Sequence, residues 1–469
     1  MLLHAAAVLW MAAAPPEPAA DDLLRLYAET RHFRSGLPVS PKVARDGTAA
    51  FFLRSGPKSD VQSLFMTDVA TGQTKEVLSP EQLLAGAREQ LTAAERARLE
   101  RQRISARGFT SFQLSRDGQK LVVTLGGRLY LVTRPAMKVT PLRTGETPID
   151  PQFSPDGSAV AYVSGNDVFA VDLAQNRERR VTRGGTGAVS HGLAEFVAQE
   201  EMDRFSGFWW SPDGKWIAFQ ETDDRPLEPF TIVDPMHPEQ RGATFPYPRA
   251  GRANAVVRLG VVSAGGAGKP LWVQWDAARY PYLATVRWSE GAPLTLLVEN
   301  RAQNEEVLLR ADPATGKTAP LLTERSSANH WLDLAQDFPL WKKDGSGFFW
   351  MAERGGGPAI ELRDAGGAPV AEWVPASFHP EPPAGYDDAH QALYFAGAPE
   401  PARRQLYRAT PGRAPEPLPI GDPQPAMVTA KALEPETGVL VATSSSLRSW
   451  TSVALYRAED GKKLADLPS

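Results

Sequence analysis

The sequence has no cysteine among its 469 residues. This absence excludes disulfides, thiolate metal sites and cysteine nucleophiles. It also has no apolar run that approaches the roughly 20 residues of a membrane-spanning helix, so we expect no membrane span in the mature chain. With 51 basic and 55 acidic residues the net charge is −4. A nucleic-acid partner is therefore not expected, because no basic field is present to collect phosphates.

The motifs of self-contained catalysis are missing as well. No G-x-S-x-G pentapeptide places a serine on a strand-to-helix elbow. None of the seven histidines has a metal-ligand spacing such as H-E-x-x-H, and no glycine-rich phosphate loop follows a strand. We therefore predict no catalytic residue, no metal site and no cofactor in this stretch of chain.

The N-terminus holds the one candidate targeting segment. Residues 2–14 are a short apolar run, and the PPEPAA that follows offers a small-residue cleavage site before Asp21. This pattern resembles a secretory signal peptide over residues 1–20, although its first part carries His4 and no Lys or Arg. The prediction is a periplasmic or secreted protein, or a cytoplasmic one if the run is not a signal peptide.

One strand pattern recurs along the rest of the chain. Its clearest copy, FSPDGSAVAYVSGNDVFAVDL at 153–173, joins an apolar residue, a turn rich in Ser, Pro, Asp and Gly, and a β-rich strand. Asp–Gly supplies the positive φ that tight hairpins need. Eight such copies lie about 40 to 75 residues apart, the period of a four-stranded blade. An array of β-sandwiches is the alternative, but copies without linkers favour one closed ring. The fold class predicted for residues 21–469 is all-β, an eight-bladed β-propeller with short helical insertions near 81–107 and 192–205.

Two adjacent carboxylates, Glu200 and Glu201, lie in the second predicted helical insertion. Neighbouring carboxylates repel unless a cation lies beside them. A primary ammonium, with three N–H donors, suits such a pair. The alternative is a solvated helix face on which Glu200 pairs with Arg204 at i,i+4.

The segment QEEMDRFSGFWWSPDG at 199–214, followed by YPRAGRANAVVRLGVV at 247–262, closely resembles the dipeptidyl peptidase IV family of prolyl oligopeptidase-like serine peptidases. Bacterial members and the dipeptidyl peptidase 8/9 branch are the most similar. Further matches are LERQRISARGFTSFQLSRDG at 99–118 and HWLDL at 330–334. The resemblance extends from about Asp21 to the C-terminus, and its most specific part is the double Glu before the Trp209–Trp210 strand.

In that family an eight-bladed propeller covers an α/β-hydrolase domain, and a double Glu holds the peptide's N-terminal ammonium while dipeptides are released after Pro or Ala. The resemblance implies that Glu200 and Glu201 are this clamp. It implies that Arg103, or Arg107 in its place, holds a backbone carbonyl of the substrate. Trp209 and Trp210 are expected to pack in the blade, and Asp223 and Asp224 to have structural roles.

The hydrolase domain, with the family's catalytic Ser, Asp and His, is expected beyond Ser469. The sequence thus predicts the non-catalytic N-terminal propeller of a dipeptidyl peptidase IV-like serine peptidase, inactive in proteolysis by itself. Its expected partners are a peptide with a free N-terminus and a C-terminal hydrolase domain. The alternative is a stand-alone propeller that binds peptides or proteins.

Overall fold

Eight four-stranded antiparallel blades make up most of the described chain. The computed structural model describes residues 20–86, 89, 91, 93–145, 147–326, 331–354, 356–421 and 426–469. Blades 1 to 3 are β1 (Val39–Val43), β2 (Ala49–Ser55), β3 (Val61–Asp68) and β4 (Thr74–Leu78), with β5 (Arg107–Gly108) added beside β3; β6 (Phe112–Leu114), β7 (Lys120–Leu125), β8 (Arg128–Thr133) and β9 (Lys138–Pro141); and β10 (Ile149–Phe153), β11 (Ala159–Ser164), β12 (Asp167–Asp172) and β13 (Arg177–Arg180).

Blade 4 differs from the others in two ways: its inner strand is split in two, and a separate hairpin leaves it. We call this hairpin the arm. The blade consists of β14 (Val189–His191), β15 (Phe208–Trp210), β16 (Trp216–Asp223), β19 (Val256–Ser263) and β20 (Leu271–Trp272), and the arm of β17 (Glu228–Ile232) and β18 (Ala243–Tyr247).

The remaining blades follow the regular pattern, and one parallel bridge, between Arg404 and Met427, joins blades 7 and 8. Blades 5 to 8 are β21 (Tyr282–Arg287), β22 (Leu294–Glu299), β23 (Glu305–Ala311) and β24 (Thr318–Arg325); β25 (Leu340–Trp341), β26 (Gly347–Arg354), β27 (Gly357–Asp364) and β28 (Pro369–Val374); β29 (Gly385–Asp387), β30 (Ala392–Glu400), β31 (Arg403–Ala409) and β32 (Glu416–Pro417); and β33 (Ala426–Glu434), β34 (Val439–Ser446), β35 (Ser452–Arg457) and β36 (Lys463–Leu467). The predicted eight-bladed propeller is confirmed.

Packing on both sides of every blade explains why the strands read as apolar runs rather than as alternating patterns. Successive side chains of a strand point to opposite sides of its sheet. In β2, Phe51 and Leu53 pack into the core shared with blade 2. Ala50 and Phe52, on the other side, pack into the core shared with blade 8. That second core joins the last blade to the first, so side-chain packing closes the ring.

In blades 1 to 4 and in blade 6, the predicted Asp–Gly turns connect the first and second strands. In the turn of blade 3, Gly157 has a φ of 65°. The Ser154 hydroxyl donates to Asp156 Oδ1 at 2.6 Å, which fixes the turn. The equivalent bonds in blades 2 and 4 join Ser115 to Asp117 and Ser211 to Asp213. We call the end of the ring with these turns the turn face.

The opposite end of the ring, which we call the insertion face, carries the helices and the arm. These are α1 (Ala20–Glu29), α2 (Pro80–Leu84), α3 (Ala93–Arg101) and the arm, while α4 (Phe196–Glu201) lies inside blade 4 and a 3₁₀ turn (Ala376–Phe378) follows blade 6. The predicted signal peptide, residues 1–20, lies outside the described residues except for Ala20. No helix within the described ranges is long and apolar enough to cross a membrane.

Blade 5 places three glutamates side by side at its insertion-face end, two of them buried and Glu324 half-buried. Glu299 lies opposite Glu306, and Glu306 lies opposite Glu324. Glu299 is 1% exposed and Glu306 is 6% exposed. Burial raises the pKa of Glu299 to about 7. Burial, together with the charges of Glu299 and Glu324, raises the pKa of Glu306 to about 8. The native fold therefore favours the protonated form of both carboxyls.

The Glu306→Gln variant should be more stable than the natural protein above neutral pH. Because the pKa of Glu306 is higher in the folded than in the unfolded chain, its ionisation destabilises the fold as pH rises from about 4.5 to about 8. Glutamine imitates the protonated form. A tenfold change in proton affinity is worth about 1.4 kcal/mol, so we expect a gain of at least about 2 kcal/mol at pH 8 and little gain at pH 4. Urea unfolding at both pH values measures it.

Glu305→Gln is the matched control, since the neighbouring side chain should behave in the opposite way. Hydrogen bonds from Arg279, Tyr280 and Arg325 hold the pKa of Glu305 below its usual range. Its contribution is therefore present above the unfolded-state pKa and is lost as pH falls. A loss of stability at pH 8 in both variants would contradict the buried, protonated state of Glu306.

Candidate functional site

An insertion splits the innermost strand of blade 4 and carries α4. On one side β14 pairs with Glu221–Asp223, and on the other β15 pairs with Ile217–Phe219. Between the two halves, the backbone N–H of Gly192 donates to the Gln220 carbonyl at 2.8 Å, and the backbone N–H of Gln220 donates to the Gly207 carbonyl at 2.7 Å. The chain thus leaves and re-enters the blade at one point. Since innermost strands line a propeller's channel, α4 lies at the insertion-face end of that channel.

The close approach of the two ends requires glycine at Gly207. A Cβ atom there would come within 2.4 Å of the carbonyl carbon of Leu193. The only residue type without a Cβ avoids this clash. This is the physical reason for a glycine in the middle of the RFSGFWW stretch.

A buried ion pair fixes the base of the insertion. Arg204 is 6% exposed. Its Nη2 atom donates to Glu195 Oε2 at 3.3 Å, to Gln220 Oε1 at 2.7 Å and to Leu283 O of blade 5 at 2.9 Å. Burial lowers the pKa of the Arg204 guanidinium, and the Glu195 carboxylate opposes that shift. This one side chain therefore ties the start of α4, the second strand of blade 4 and the neighbouring blade together.

A second buried network holds the strand that leads into the insertion. His191 Nδ1 lies 2.7 Å from Asp167 Oδ1, and its Nε2 lies 3.0 Å from Glu221 Oε2. Burial opposes a charge on His191, but the bonds to Asp167 and Glu221 outweigh it and raise the pKa. The last residue of β14 is thereby anchored to both blade 3 and blade 4.

The helix α4 buries its apolar side and presents the two glutamates away from it. Ala198 and Met202 pack into a core formed with blades 5 to 7. Glu200 and Glu201 are the last two residues of the helix. The alternative pairing of Glu200 with Arg204 is wrong, because α4 ends at Glu201 and the chain then turns, so that Arg204 reaches Glu195 instead. Arg204 therefore forms no ion pair with Glu200 or Glu201.

Among the described residues, Arg101 at the end of α3 is the cation that lies against Glu200. Its Nε lies 3.9 Å from Glu200 Oε1 and its Nη1 donates to Gln199 Oε1 at 3.3 Å. Its guanidinium also lies over the Phe196 ring, 5.2 Å from the ring centre. Sequence reasoning missed this residue, because its contact partners lie almost 100 positions further along the chain.

Arg103 and Arg107, the two arginines singled out by the sequence, have different surroundings. Arg103 lies two residues after the end of α3, is exposed and has a φ of 54°. Within the described part of the chain it forms no ion pair. Arg107 forms a bidentate pair with Asp60 of blade 1, at 2.9 and 2.8 Å. Of the two arginines, Arg107 is therefore the one whose side chain is held by another blade.

The two tryptophans after the insertion pack in the blades. Trp210 belongs to the core between blades 3 and 4, and Trp209 packs against the core between blades 4 and 5. Trp209 also lies under the Arg204 guanidinium, 5.9 Å from it. Asp224 starts the loop that leads to the arm. Burial, and next the charge of Glu195, raise the pKa of Asp224, and the charge of Arg101 opposes this shift.

The protein is thus an eight-bladed β-propeller with an acidic helix set into the channel-lining strand of blade 4. Residues 115–448 match the family described as dipeptidyl peptidase IV (DPP IV) N-terminal region. This match covers well over half of the chain, and the chain belongs to that family.

Known relatives match over part of their length. The chain is 28% identical over 202 residues to inactive dipeptidyl peptidase 10 of Mus musculus, covering 41% of this chain and 25% of the mouse protein. It is 26% identical over 264 residues to probable dipeptidyl peptidase 4 of Neosartorya fischeri, covering 52% of this chain and 33% of the fungal protein. The chain therefore spans only part of these relatives.

A solved structure shows the same fold. The crystal structure of Porphyromonas gingivalis dipeptidyl peptidase 4 superposes on 97% of this chain and 62% of its own, with a TM-score of 0.76 and 21% sequence identity. At this identity the similarity concerns the propeller architecture alone.

Replacing Arg204 by methionine should unfold or strongly destabilise the insertion. The change leaves Glu195 buried without its partner, a loss of about 3–5 kcal/mol. Adding Glu195→Gln removes the orphaned charge and should restore much of that loss. Arg225→Met, which breaks an exposed pair with Asp223, is the control and should change little. Thermal unfolding of the four proteins measures this, and equal effects of Arg204→Met and Arg225→Met would contradict the anchor.

Proposed function

We propose that this chain is the propeller part of a dipeptidyl peptidase IV-like serine peptidase. In this role Glu200 and Glu201 bind the N-terminal ammonium of a peptide, and the propeller gates access to the reaction cavity. Joined to a hydrolase domain, the assembly releases N-terminal dipeptides after Pro or Ala. The propeller itself supplies no nucleophile, so it positions the substrate without cleaving it.

The presentation of the double Glu is the observation that carries this proposal. Both carboxylates stand at the end of a helix whose base is held by the buried Arg204, so the backbone that carries them is in place before a ligand binds. An ammonium has three N–H donors and can bond to both carboxylates at once. Arg103, exposed beside α3, is available in this proposal to donate to a substrate carbonyl.

The surface around the site supports a partner domain on the insertion face. Among the described residues, all large exposed apolar side chains except Trp216 and Val370 lie on this face or on the arm. Trp450 and Leu447 lie in the β34–β35 turn, and Leu24 lies on α1. The strand β36 also ends at this face. A hydrolase domain that follows β36 is the occupant that we propose for this apolar surface.

A second candidate function is a stand-alone peptide- or protein-binding propeller. Its support is the similarity to a relative whose name describes an inactive dipeptidyl peptidase. The genomic sequence downstream of the Ser469 codon distinguishes the two. An open frame that encodes G-x-S-x-G and a later Asp and His favours the peptidase, whereas a stop codon before an unrelated gene favours the stand-alone module.

Peptide binding should depend on a free N-terminus and on both glutamates. We expect the tripeptide Ala-Pro-Ala to bind, and acetylation of its amine to weaken binding at least about tenfold. Because a hydrogen bond to a charged group contributes about 1.5–3 kcal/mol, Glu200→Gln and Glu201→Gln should each weaken binding roughly 10- to 100-fold. Calorimetric titration measures the affinities.

Glu459→Gln is the matched control for these variants. Glu459 is an exposed glutamate at the turn face, and its replacement changes the net charge equally without touching the site. Equal affinity for free and acetylated peptide, or equal losses in all three variants, would show that the double Glu is a solvated surface.

The purified chain should not hydrolyse dipeptidyl amides. A fluorogenic Ala-Pro amide tests this, with a dipeptidyl peptidase as the positive control. Hydrolysis that disappears in the Glu200→Gln/Glu201→Gln double variant would overturn the assignment of this chain to substrate positioning alone.

A further inference from the structure

A partly buried lysine bridges the innermost strands of blades 1 and 2. Lys42, on β1, donates from Nζ to the Phe112 carbonyl at 2.9 Å and to Gln113 Oε1 at 3.0 Å, both on β6. The nitrogen also lies over the Phe112 ring, 5.2 Å from its centre. Both acceptors are neutral, and within the described part of the chain Lys42 forms no ion pair. The structure thus holds this amine without a counter-ion.

Burial without a counter-ion makes the Lys42 amine a weak base. Desolvation lowers the pKa of Lys42 to about 8, because burial disfavours the charged form of a lysine. At pH 8 about half of the Lys42 side chains are therefore neutral, against roughly 0.4% for a lysine with the ordinary pKa of about 10.4. The neutral amine carries a lone pair and is the nucleophilic form.

Lys42 lines a cavity at the turn-face end of the channel. This cavity, which we call the turn-face cavity, has a volume of about 510 Å³ and is lined by residues of blades 1, 2, 5, 6, 7 and 8. The other charged or titratable residues that line it are Arg45, Arg116, Lys343, Glu290, Asp388, Glu434, Glu436 and Tyr386. A small molecule in the channel therefore meets Lys42 beside both basic and acidic groups.

The basic side chains of the turn-face cavity pair with two of its glutamates. Arg116 of blade 2 pairs with Glu290 of blade 5, across the channel. Arg45 and Lys343 both pair with Glu436, at 2.9 and 2.6 Å. The charges of Glu290 and Glu436 are thereby balanced by groups other than Lys42.

The two remaining carboxylates of the cavity accept backbone hydrogen bonds. Glu434 Oε1 accepts from the backbone N–H of Glu436 at 3.2 Å. Asp388 Oδ1 accepts from the backbone N–H of Lys343 at 3.3 Å. Since each carboxylate has another partner, none of them holds Lys42 in its charged form.

We propose that Lys42 is a modification site, whose amine combines with carbon dioxide to form a carbamate in the turn-face cavity. The lone pair of Nζ attacks the carbon of CO2. One carbon–oxygen double bond becomes a single bond to a negatively charged oxygen, and the nitrogen releases one proton to solvent. Amine and CO2 thus give a carbamate and a proton, and no oxidant or reductant takes part.

Size and charge favour CO2 as the electrophile. The molecule is small enough to reach a partly buried amine, and its product is an anion for which this cavity provides donors. The carbamate nitrogen keeps one N–H for the Phe112 carbonyl. Rotation of the Gln113 amide turns its NH2 donors towards a carbamate oxygen. The guanidinium groups of Arg45 and Arg116 line the same cavity and supply positive charge.

Chemical trapping on the full chain tests this proposal. The protein is equilibrated with ¹³C-bicarbonate, which supplies CO2, at pH 8 and is then alkylated with triethyloxonium, which converts carbamates to stable ethyl esters. Peptide mass spectrometry locates and quantifies the label. We expect at least about tenfold more label on Lys42 than on Lys269, an exposed lysine, because far more of the Lys42 amine is neutral.

Gln113→Glu is the decisive variant, because it keeps Lys42 and places a carboxylate against Nζ. The new ion pair favours the charged amine, so we expect at least about tenfold less label on Lys42. Gln119→Glu adds the same charge at an exposed position of the neighbouring turn and should leave the label unchanged. Circular dichroism checks the fold of both variants.

Lys42→Arg gives a second test if Gln113→Glu does not fold. Arginine keeps donors for both acceptors but is not nucleophilic at this pH, so a ¹³C carbamate resonance of the natural chain should be missing from the variant. Absence of label on Lys42 in the natural chain, or equal label in the natural chain and Gln113→Glu, overturns the proposal. A ¹³C spectrum that is identical in Lys42→Arg and the natural chain also overturns it.

Discussion

The buried pair of Arg204 and Glu195 is the interaction on which the site depends. Without this pair, little would hold α4 in one position, because isolated helices as short as its six residues are marginal in water. Arg204 reaches Gln220 in blade 4 and the Leu283 carbonyl in blade 5. Hydrogen bonds thus attach the base of the helix to two blades. The backbone that carries the two carboxylates is thereby held in place, as the proposed binding of an ammonium requires.

The ring supplies the remaining constraint. Each blade is apolar on both sides, so it is stable only between two neighbours, and the core that joins Phe52 to Val441 and Leu455 closes the series. Because regular packing accounts for the blades, departures from it are confined to one end of the ring. The insertion, α3 and the arm all lie at that end, together with most exposed apolar side chains. A scaffold of this kind separates stability from recognition.

The fold followed from the sequence, and the site followed only in part. Runs such as AAFFL at 49–53 and the repeated Asp–Gly turns were enough to predict eight blades, since each is a local signal. The double Glu was singled out as a pair of adjacent carboxylates, and the family resemblance supplied its proposed role. Arg101 was not, because its place against Glu200 depends on how α3 and α4 meet across blades 2 to 4. The i,i+4 spacing also suggested an ion pair between Glu200 and Arg204. The helix α4 ends at Glu201, before Arg204, and no local sequence signal marks the end of this helix.

A crystal structure of the chain with a bound Ala-Pro-Ala peptide tests the central claim most directly. The account predicts that the peptide's ammonium nitrogen lies about 2.7–3.2 Å from a carboxylate oxygen of Glu200 and from one of Glu201, at the insertion-face end of the channel. A peptide bound elsewhere, or one whose N-terminus points into solvent while both glutamates remain free, would contradict it.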